Sequence, residues 1–287
     1  MDTQPIASRD AAAQGIPGPP STPPREPRGR PHQSFYAKHE AVILGTLSVV
    51  LLLGVWQAVC SAGWVSPLFF SSPLAVVKQF RYTLVEGTLL ADMRYSYTNF
   101  AIGFGLAALT GVVFGVLIGW YRRLRLFFDP FLNALYATPR VAMVPLIIIW
   151  FGIGIWSKVF IVFLSAFFPI LVNTVGGVRA LDRDLLRAAK AYCASDWQIF
   201  TTLAIPGSVP FILTGIRQGV ALGLIGVVVG EMVGSSQGVG FMVAYGGQTF
   251  NTDTLFVGMI VIAFSGILLT WIAERLERRF SRWRPER

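Results

Sequence analysis

Six long apolar stretches constrain this 287-residue chain more than any other feature of its sequence. An α-helix needs about 20 mostly apolar residues to cross the hydrocarbon core of a bilayer. The stretches that reach or approach this length are Ala41–Ala62, Tyr97–Trp120, Pro130–Ile149, Val159–Val178, Val209–Met232 and Leu255–Ala273. Only 14% of the residues are charged, against roughly 25% in soluble domains. The sequence therefore predicts an all-α, polytopic membrane bundle of about six transmembrane helices.

Two of these stretches contain both a helix breaker and an arginine. The third contains Pro139 and Arg140, and the fifth opens at Pro210 and contains Arg217. Broken helices are tolerated in membranes where they pack on protein or line a watery cavity. We therefore predict that these spans line the pathway and that Arg140 and Arg217 are candidate substrate contacts. Helix-end pairing or orientation of the bundle is the alternative for both arginines.

Positive residues lie beside the spans in an alternating pattern. They precede the first span, fill the second-to-third and fourth-to-fifth connections and follow the sixth span, whereas the connection from Gly234 to Thr254 has no Lys or Arg. Because cytoplasmic loops carry the excess of Lys and Arg, both termini are predicted to be cytoplasmic. Lys158 and Glu231, near span ends, are expected to reach the interface. The net charge of +9 forms no single basic face, which excludes nucleic acid as a partner.

The ends of the chain differ in composition from the membrane domain, predicted over residues 39–273. Residues 1–38 are rich in proline and are predicted to be a disordered cytoplasmic tail, and residues 274–287 form a basic cytoplasmic tail. The first apolar run is longer than the core of a signal peptide, so it should be a retained anchor. The two cysteines and two histidines lack the spacing of a disulfide, a metal site or imidazole catalysis, so no cofactor is expected.

Two further sequence patterns predict local structure. Ser72 and Pro73, followed by apolar residues at helical spacing, predict a short amphipathic helix on the outer membrane surface. Glycines recur at four-residue spacing in the second and fifth spans, from Gly111 to Gly119 and from Gly215 to Gly223. Such stripes let helices approach closely, either within the chain or at a subunit interface.

The connection between the fourth and fifth spans, residues 179–207, is patterned as two short helices. Asp182 can cap the first helix, and Ser195-Asp-Trp-Gln198 forms a capping box that starts the second. The second helix continues through Trp197 and Phe200, and Pro206 is predicted to end it. Because isolated exposure of these aromatic side chains is unfavourable, the helices should pack on the bundle or on a partner.

This segment resembles the EAA loop of bacterial ABC-importer permeases, in which Glu-Ala-Ala is followed by a Gly four residues later and by Ile/Leu-x-Pro. The matching elements are Ala188, Ala189, Ser195-x-Trp197-x-x-Phe200 and Ile205-Pro206. Outside it, the runs Val144–Gly154, Ala166–Ile170 and Phe211–Arg217 are similar to the nitrate/sulfonate/taurine subgroup of these permeases. The resemblance covers roughly residues 69–271 and implies a type I ABC-importer permease fold.

In such permeases the loop forms a coupling helix that fits a groove on a cytoplasmic ATPase. Two positions depart from the family pattern: Arg187 replaces the Glu, for which Asp184 can substitute, and Cys193 replaces the Gly. If the Gly position needs positive φ, a Cβ there costs about 1–2 kcal/mol. The residues to which the resemblance assigns the ATPase-coupling role are Asp184, Arg187, Ala188, Ala189, Cys193, Ala194, Ser195, Trp197, Phe200 and Pro206.

The resemblance also implies a location in the bacterial inner membrane and a set of partners. The sequence has no Gly-Lys dipeptide and hence no GxxxxGK[ST] phosphate loop, so the chain is not expected to be an enzyme and an ABC ATPase subunit must supply the energy. A second permease copy, an extracytoplasmic solute-binding protein and a small anionic solute complete the predicted system. The alternatives are an autonomous ion-coupled transporter or channel, which would normally show repeated halves, and a non-transporting scaffold.

Overall fold

The computed structural model describes residues 35–66 and 68–280, and every regular element in that part of the chain is helical. Residues 1–34 of the predicted tail and residues 281–287 lie outside the described residues. The chain divides into two units, residues 1–51 and residues 52–287. In the first unit the described residues form part of one helix, with exposed side chains from Val42 to Leu51, as suits contact with lipid.

Eleven α-helices follow one another along the described residues. In chain order they are α1 Phe35–Ser61, α2 Pro73–Val85, α3 Thr88–Trp120, α4 Arg122–Ala137, α5 Val144–Phe151, α6 Ile155–Arg179, α7 Arg183–Ala191, α8 Asp196–Ile199, α9 Ile205–Gly234, α10 Val239–Gln248 and α11 Thr252–Phe280. A 3-10 turn, Arg140–Met143, precedes α5, and a π-helical turn, Phe200–Ala204, precedes α9. The outer boundaries differ from the sequence prediction, since α1 begins before residue 39 and α11 continues past residue 273.

Five helices of the described chain are long and apolar enough to cross a membrane, and one bent pair forms a sixth crossing if it is counted as one span. The five are Val42–Ser61, Thr88–Trp120, Ile155–Arg179, Asp196–Gly234 and Thr252–Arg279. Each overlaps one of the predicted stretches, and the bent pair covers the remaining one. The predicted all-α membrane bundle is confirmed.

The bent pair consists of Arg122–Ala137 and Arg140–Phe151, which meet at an angle of 88°. Thr138 lies at the break with extended backbone, φ −73° and ψ 128°, because the residue before a proline is disfavoured in the helical region. Pro145 is accommodated in the first turn of α5, where a backbone N–H would have no hydrogen-bond partner within the helix. The predicted interruption of the third span is confirmed.

The fifth span starts earlier than predicted. Pro206 does not end the second short helix, as the sequence suggested, but lies in the first turn of α9. The π-helical turn before it pairs the Ile205 N–H with the Phe200 carbonyl, and this wider turn accommodates the proline. One apolar helical path therefore runs from Asp196 to Gly234.

The predicted short helix after the first span is present as α2. The Ser72 hydroxyl accepts a hydrogen bond from the Ala75 N–H at 3.2 Å, and Pro73 lies in the first turn. Val76 is buried in a cluster with residues of α3, α10 and α11. This packing agrees with a helix that braces the bundle.

Helix α6 is the centre of the bundle, because glycine-rich faces of α3 and α9 pack against it. A Cβ added at Gly115 of α3 would lie 2.6 Å from the Thr174 Cβ, and one added at Gly219 of α9 would lie 2.9 Å from Ile170. Real Cβ atoms do not approach neighbours this closely, so glycine is required at these positions. The glycine stripes therefore serve packing within the chain.

We predict that Gly115→Leu destabilises the protein by about 1–3 kcal/mol, because the side chain has no space against α6. Gly105 lies on the same helix with nothing within 4 Å of an added Cβ, so Gly105→Leu is the matched control. The measurement is the thermal unfolding midpoint of each variant in detergent. Equal midpoints for the two variants would contradict the packing described here.

Candidate functional site: the 179–207 segment and a membrane cavity

The first helix of the 179–207 segment is capped as predicted but has no buried residue. The Asp182 carboxylate accepts a hydrogen bond from the Asp184 N–H at 2.8 Å and so satisfies a free donor at the start of α7. Leu185 and Tyr192 are both exposed, Tyr192 to 89% of its surface. α7 is thus a well-formed helix with an apolar face that lacks a partner among the described residues.

The second helix starts with the predicted capping box. The Gln198 N–H donates to the Ser195 hydroxyl at 3.3 Å, and the Ser195 N–H donates to the Gln198 side chain at 2.8 Å. These reciprocal bonds satisfy two donors that the helix itself leaves free. The start of α8 is therefore fixed locally, without help from another chain.

Aromatic contacts attach α8 to the bundle on one side only. Phe200 packs against Trp120 at the end of α3, with ring centroids 5.1 Å apart, and Ile199 is buried. Trp197 contacts the other side of Phe200 at 5.6 Å but remains 70% exposed. The segment is held to the membrane domain by Phe200 while Trp197 is left accessible.

The structure shows local features at both positions that depart from the family pattern, Cys193 and Arg187. Cys193 has φ +56°, so the expectation of positive φ at this position is confirmed. The Ala194 N–H donates to the Ala189 carbonyl at 3.0 Å, the bond that closes a helix through a left-handed residue. Arg187 forms an exposed ion pair with Asp184 at 3.3 Å, so the acidic group offered as a substitute for the missing Glu is partly neutralised within α7.

Of the two arginines predicted to contact substrate, Arg217 is paired inside the chain. Its guanidinium lies 3.5 Å from Glu277 and 3.8 Å from Glu274, both on α11. This pairing between helices matches the alternative to substrate contact that the sequence left open for this arginine. It removes the need for an external anion at this position.

Arg140 has a different environment. Its guanidinium lies 5.6 Å from the ring centres of Tyr136 and Phe168, and its Nε is buried with no hydrogen-bond partner. It lines a cavity of about 390 Å³ between the α4–α5 break, α6 and α9, together with Thr138 and Ser165. The structure therefore separates the two candidate arginines: Arg140 lines this cavity, whereas Arg217 does not.

Lys158 and Glu231 do not reach the interface, contrary to the sequence prediction, since their exposures are 1% and 0%. The Lys158 ammonium donates to the Gly234 carbonyl at the end of α9. The Glu231 carboxylate accepts from the Ser96 hydroxyl at 2.8 Å and from the Gly240 N–H at 2.9 Å. Each charge is buried because polar partners replace water.

A network around Glu231 was missed by the sequence analysis. Asn99 donates to Glu231 at 3.3 Å. Asp92 accepts from the Gly238 N–H at 2.7 Å, and Ser96 accepts from the Val239 N–H at 2.9 Å. Side chains of α3 and α9 thus hold the start of α10. The available signal was the spacing of Asp92, Ser96 and Asn99, which places three polar groups on one face of an otherwise apolar helix.

The architecture defines a class of protein. The chain superposes on the inward-facing MetNI methionine ABC transporter with a TM-score of 0.59 at 17% identity, covering 67% of this chain and 96% of that chain. At this identity the likeness shows the fold, which is that of a type I ABC-importer permease.

Comparison with sequence relatives gives the family. Residues 111–282 match the binding-protein-dependent transport system inner membrane component family. A putative aliphatic sulfonates transport permease protein, SsuC, of Bacillus subtilis (strain 168) is 34% identical over 84% of this chain and 87% of its own length. The taurine transport system permease protein TauC of Escherichia coli (strain K12) is 33% identical over 85% of this chain and 90% of its own length.

The chain belongs to the binding-protein-dependent transport system inner membrane component family. It is an integral membrane permease subunit of an ABC importer, and ATP hydrolysis belongs to a separate ATPase subunit. A permease of this family works with that ATPase and with a solute-binding protein. The resemblance drawn from the sequence is confirmed.

We predict that Cys193→Gly stabilises α7 by up to about 1 kcal/mol, because glycine adopts positive φ without a Cβ penalty. Hydrogen exchange of the α7 amides should slow in this variant. Ala194→Gly is the control, since Ala194 has no positive φ and gains nothing from glycine. Equal exchange in the wild type and Cys193→Gly would show that the cysteine is not strained.

We predict that Glu231→Ala destabilises the protein by roughly 3 kcal/mol, because it leaves several buried donors unpaired. Glu231→Gln keeps the shape and one acceptor oxygen, so its loss should be smaller. Thermal unfolding midpoints in detergent compare the two variants. The network has no stabilising role if the alanine variant unfolds at the temperature of the glutamine variant.

Proposed function

We propose that this permease imports a small anionic solute of the sulfonate or taurine type, and that the 179–207 segment is its coupling segment to the ATPase. The coupling role is supported by one observation: α7 and α8 are capped by their own side chains, yet their apolar face has no partner among the described residues. Trp197 is 70% exposed and Tyr192 is 89% exposed, although Phe200 and Ile199 fix the same segment to the bundle. Exposed aromatic side chains of this kind can act as anchors that insert into a groove on a partner protein.

The continuity of the helical path supports the proposal that movement of α8 is transmitted to the membrane helices. Asp196–Gly234 is one apolar helical path, so a displacement of α8 acts directly on the long helix α9. α9 packs closely on α6 through its glycines. Closing motions of an ATPase dimer would therefore move α9 and α6 together rather than bend a flexible loop.

The proposed orientation places both termini and the coupling segment in the cytoplasm. It is supported by the basic residues at the start of α4, within α7 and at the end of α11, which lie on one side if the six crossings alternate. The connection that contains α10 has no Lys or Arg and would face outward, toward the solute-binding protein.

A second copy of the chain completes the proposed pathway. One chain has about six crossings, and the cavity beside Arg140 is open on the surface of the single chain. Two copies related by a two-fold axis would place two such cavities along one central route. The sulfonate and taurine permeases that resemble this chain support an anionic substrate.

The proposed function is tested by uptake into proteoliposomes that contain the permease and its ATPase, with the solute-binding protein outside. We expect uptake of taurine or ethanesulfonate that requires ATP and all three components. The alternative of an autonomous ion-coupled transporter predicts uptake by the permease alone, driven by an ion gradient. That result would overturn the proposal.

We predict that Trp197→Asp abolishes assembly with the ATPase while leaving membrane insertion intact, because a buried carboxylate without a partner opposes docking. The measurement is copurification of the ATPase with the tagged permease. Trp64→Asp is the matched control, since Trp64 is also exposed, to 81% against 70% for Trp197, but lies far from the 179–207 segment in sequence, in the connection after α1. Full copurification and transport by Trp197→Asp would show that the docking assignment is wrong.

A further inference from the structure

The cations within the described spans differ in how their charge is compensated. Arg217 has Glu274 and Glu277 as ion-pair partners. Lys158 donates to the Gly234 carbonyl and lies in the field of Glu231. The Arg140 side chain forms no ion pair with a described residue, and its buried Nε has no hydrogen-bond partner among the described residues. A charge held in a low-dielectric region without an opposite charge is costly, and such residues mark ligand or ion sites.

The position of the Arg140 head group is nevertheless well defined. The rings of Tyr136 and Phe168 both lie 5.6 Å from its guanidinium carbon, a distance at which a ring attracts a cation. The two rings therefore hold the planar head group in place without using its N–H donors. Its Nε in particular is buried and unpaired, so at least one strong donor is available to a ligand.

A second donor lies in the same cavity. Ser165 lines the cavity with Arg140 and supplies a hydroxyl there. A Cβ at Gly226 would lie 2.7 Å from the Ser165 Oγ, so glycine at this position keeps the space beside the hydroxyl open. The cavity thus contains a fixed cation and a hydroxyl group.

Most of the remaining wall of the cavity is apolar, with Thr138 as a polar exception. Val141 comes from the α4–α5 break, Val144 from the start of α5, and Leu222 and Val229 come from α9. A ligand that matches this lining has an anionic head with several acceptor oxygens and a short apolar body. The guanidinium fork binds such oxygens in a bidentate way, and the volume of about 390 Å³ is in the range of small-molecule pockets.

We propose that this cavity binds the transported solute, with its anionic head at Arg140 and Ser165 and its short alkyl body against the valines and leucine. This inference rests on the proposed function, because it names the site within the permease through which that solute passes. Arg140 is then a specificity-determining residue of the membrane domain, separate from the selectivity of the solute-binding protein.

The test is binding of radiolabelled ethanesulfonate to the permease–ATPase complex in nanodiscs, without the solute-binding protein. We expect Arg140→Gln to weaken binding at least about tenfold, the equivalent of one lost charge-assisted hydrogen bond. Arg140→Lys should weaken it less, since it retains the charge but loses the fork. Copurification of the ATPase with each variant establishes that the variant has folded.

Arg217→Gln is the matched control, because it removes another arginine within a predicted span, one whose charge is already paired. It should bind ethanesulfonate with the wild-type Kd. Sulfate should compete more weakly than butanesulfonate, since it cannot use the apolar wall. Equal competition by the two anions, or unchanged binding in Arg140→Gln, would overturn the proposed site.

The outcomes also separate this proposal from the function on which it rests. If the wild-type system shows ATP-dependent uptake but ethanesulfonate does not bind the complex, the site is wrong and the importer assignment remains. If uptake is absent with all three components present, the proposed substrate class itself fails.

Discussion

Close contact of α6 with the glycine-bearing faces of α3 and α9 is the constraint on which the rest of the structure depends. In lipid there is no hydrophobic force that drives apolar helices together, so association rests on backbone approach and interhelical contacts. Gly115 on α3 and Gly219 on α9 both face α6 and allow that approach. The three helices packed in this way form the core of the membrane domain, and the other elements pack around them.

The proposed coupling segment, residues 179–207, takes its position from these three helices. Phe200 packs on Trp120, the last residue of α3, and the π-helical turn connects α8 to α9 without a break in the helical path. Force applied at α8 would therefore reach α3 through an aromatic contact and α9 through the backbone. Local caps make α7 and α8 stable without a partner, so docking requires little further ordering.

Sequence reasoning succeeded where a local rule decides the structure. Capping at Asp182 and Ser195 and the break at Pro139 follow from backbone chemistry within a few residues. It failed where an alternative backbone geometry was available or where distant groups decide. Pro206 was expected to end a helix, but a π-helical turn absorbs it. Glu231 was expected at the interface, but Ser96 on α3, far away in sequence, and Gly240 on α10 allow its burial.

The same distinction applies to the intramembrane arginines. Arg140 and Arg217 look alike in sequence, since each lies in a span that also contains a proline. Their roles are separated by α11, which brings Glu274 and Glu277 to Arg217, whereas the aromatic rings beside Arg140 hold a cation without neutralising it. A cation–π cradle fixes a charge and leaves its hydrogen-bond donors free. That combination suits a site where an anion binds briefly and must leave again, because a carboxylate partner would instead close the site permanently.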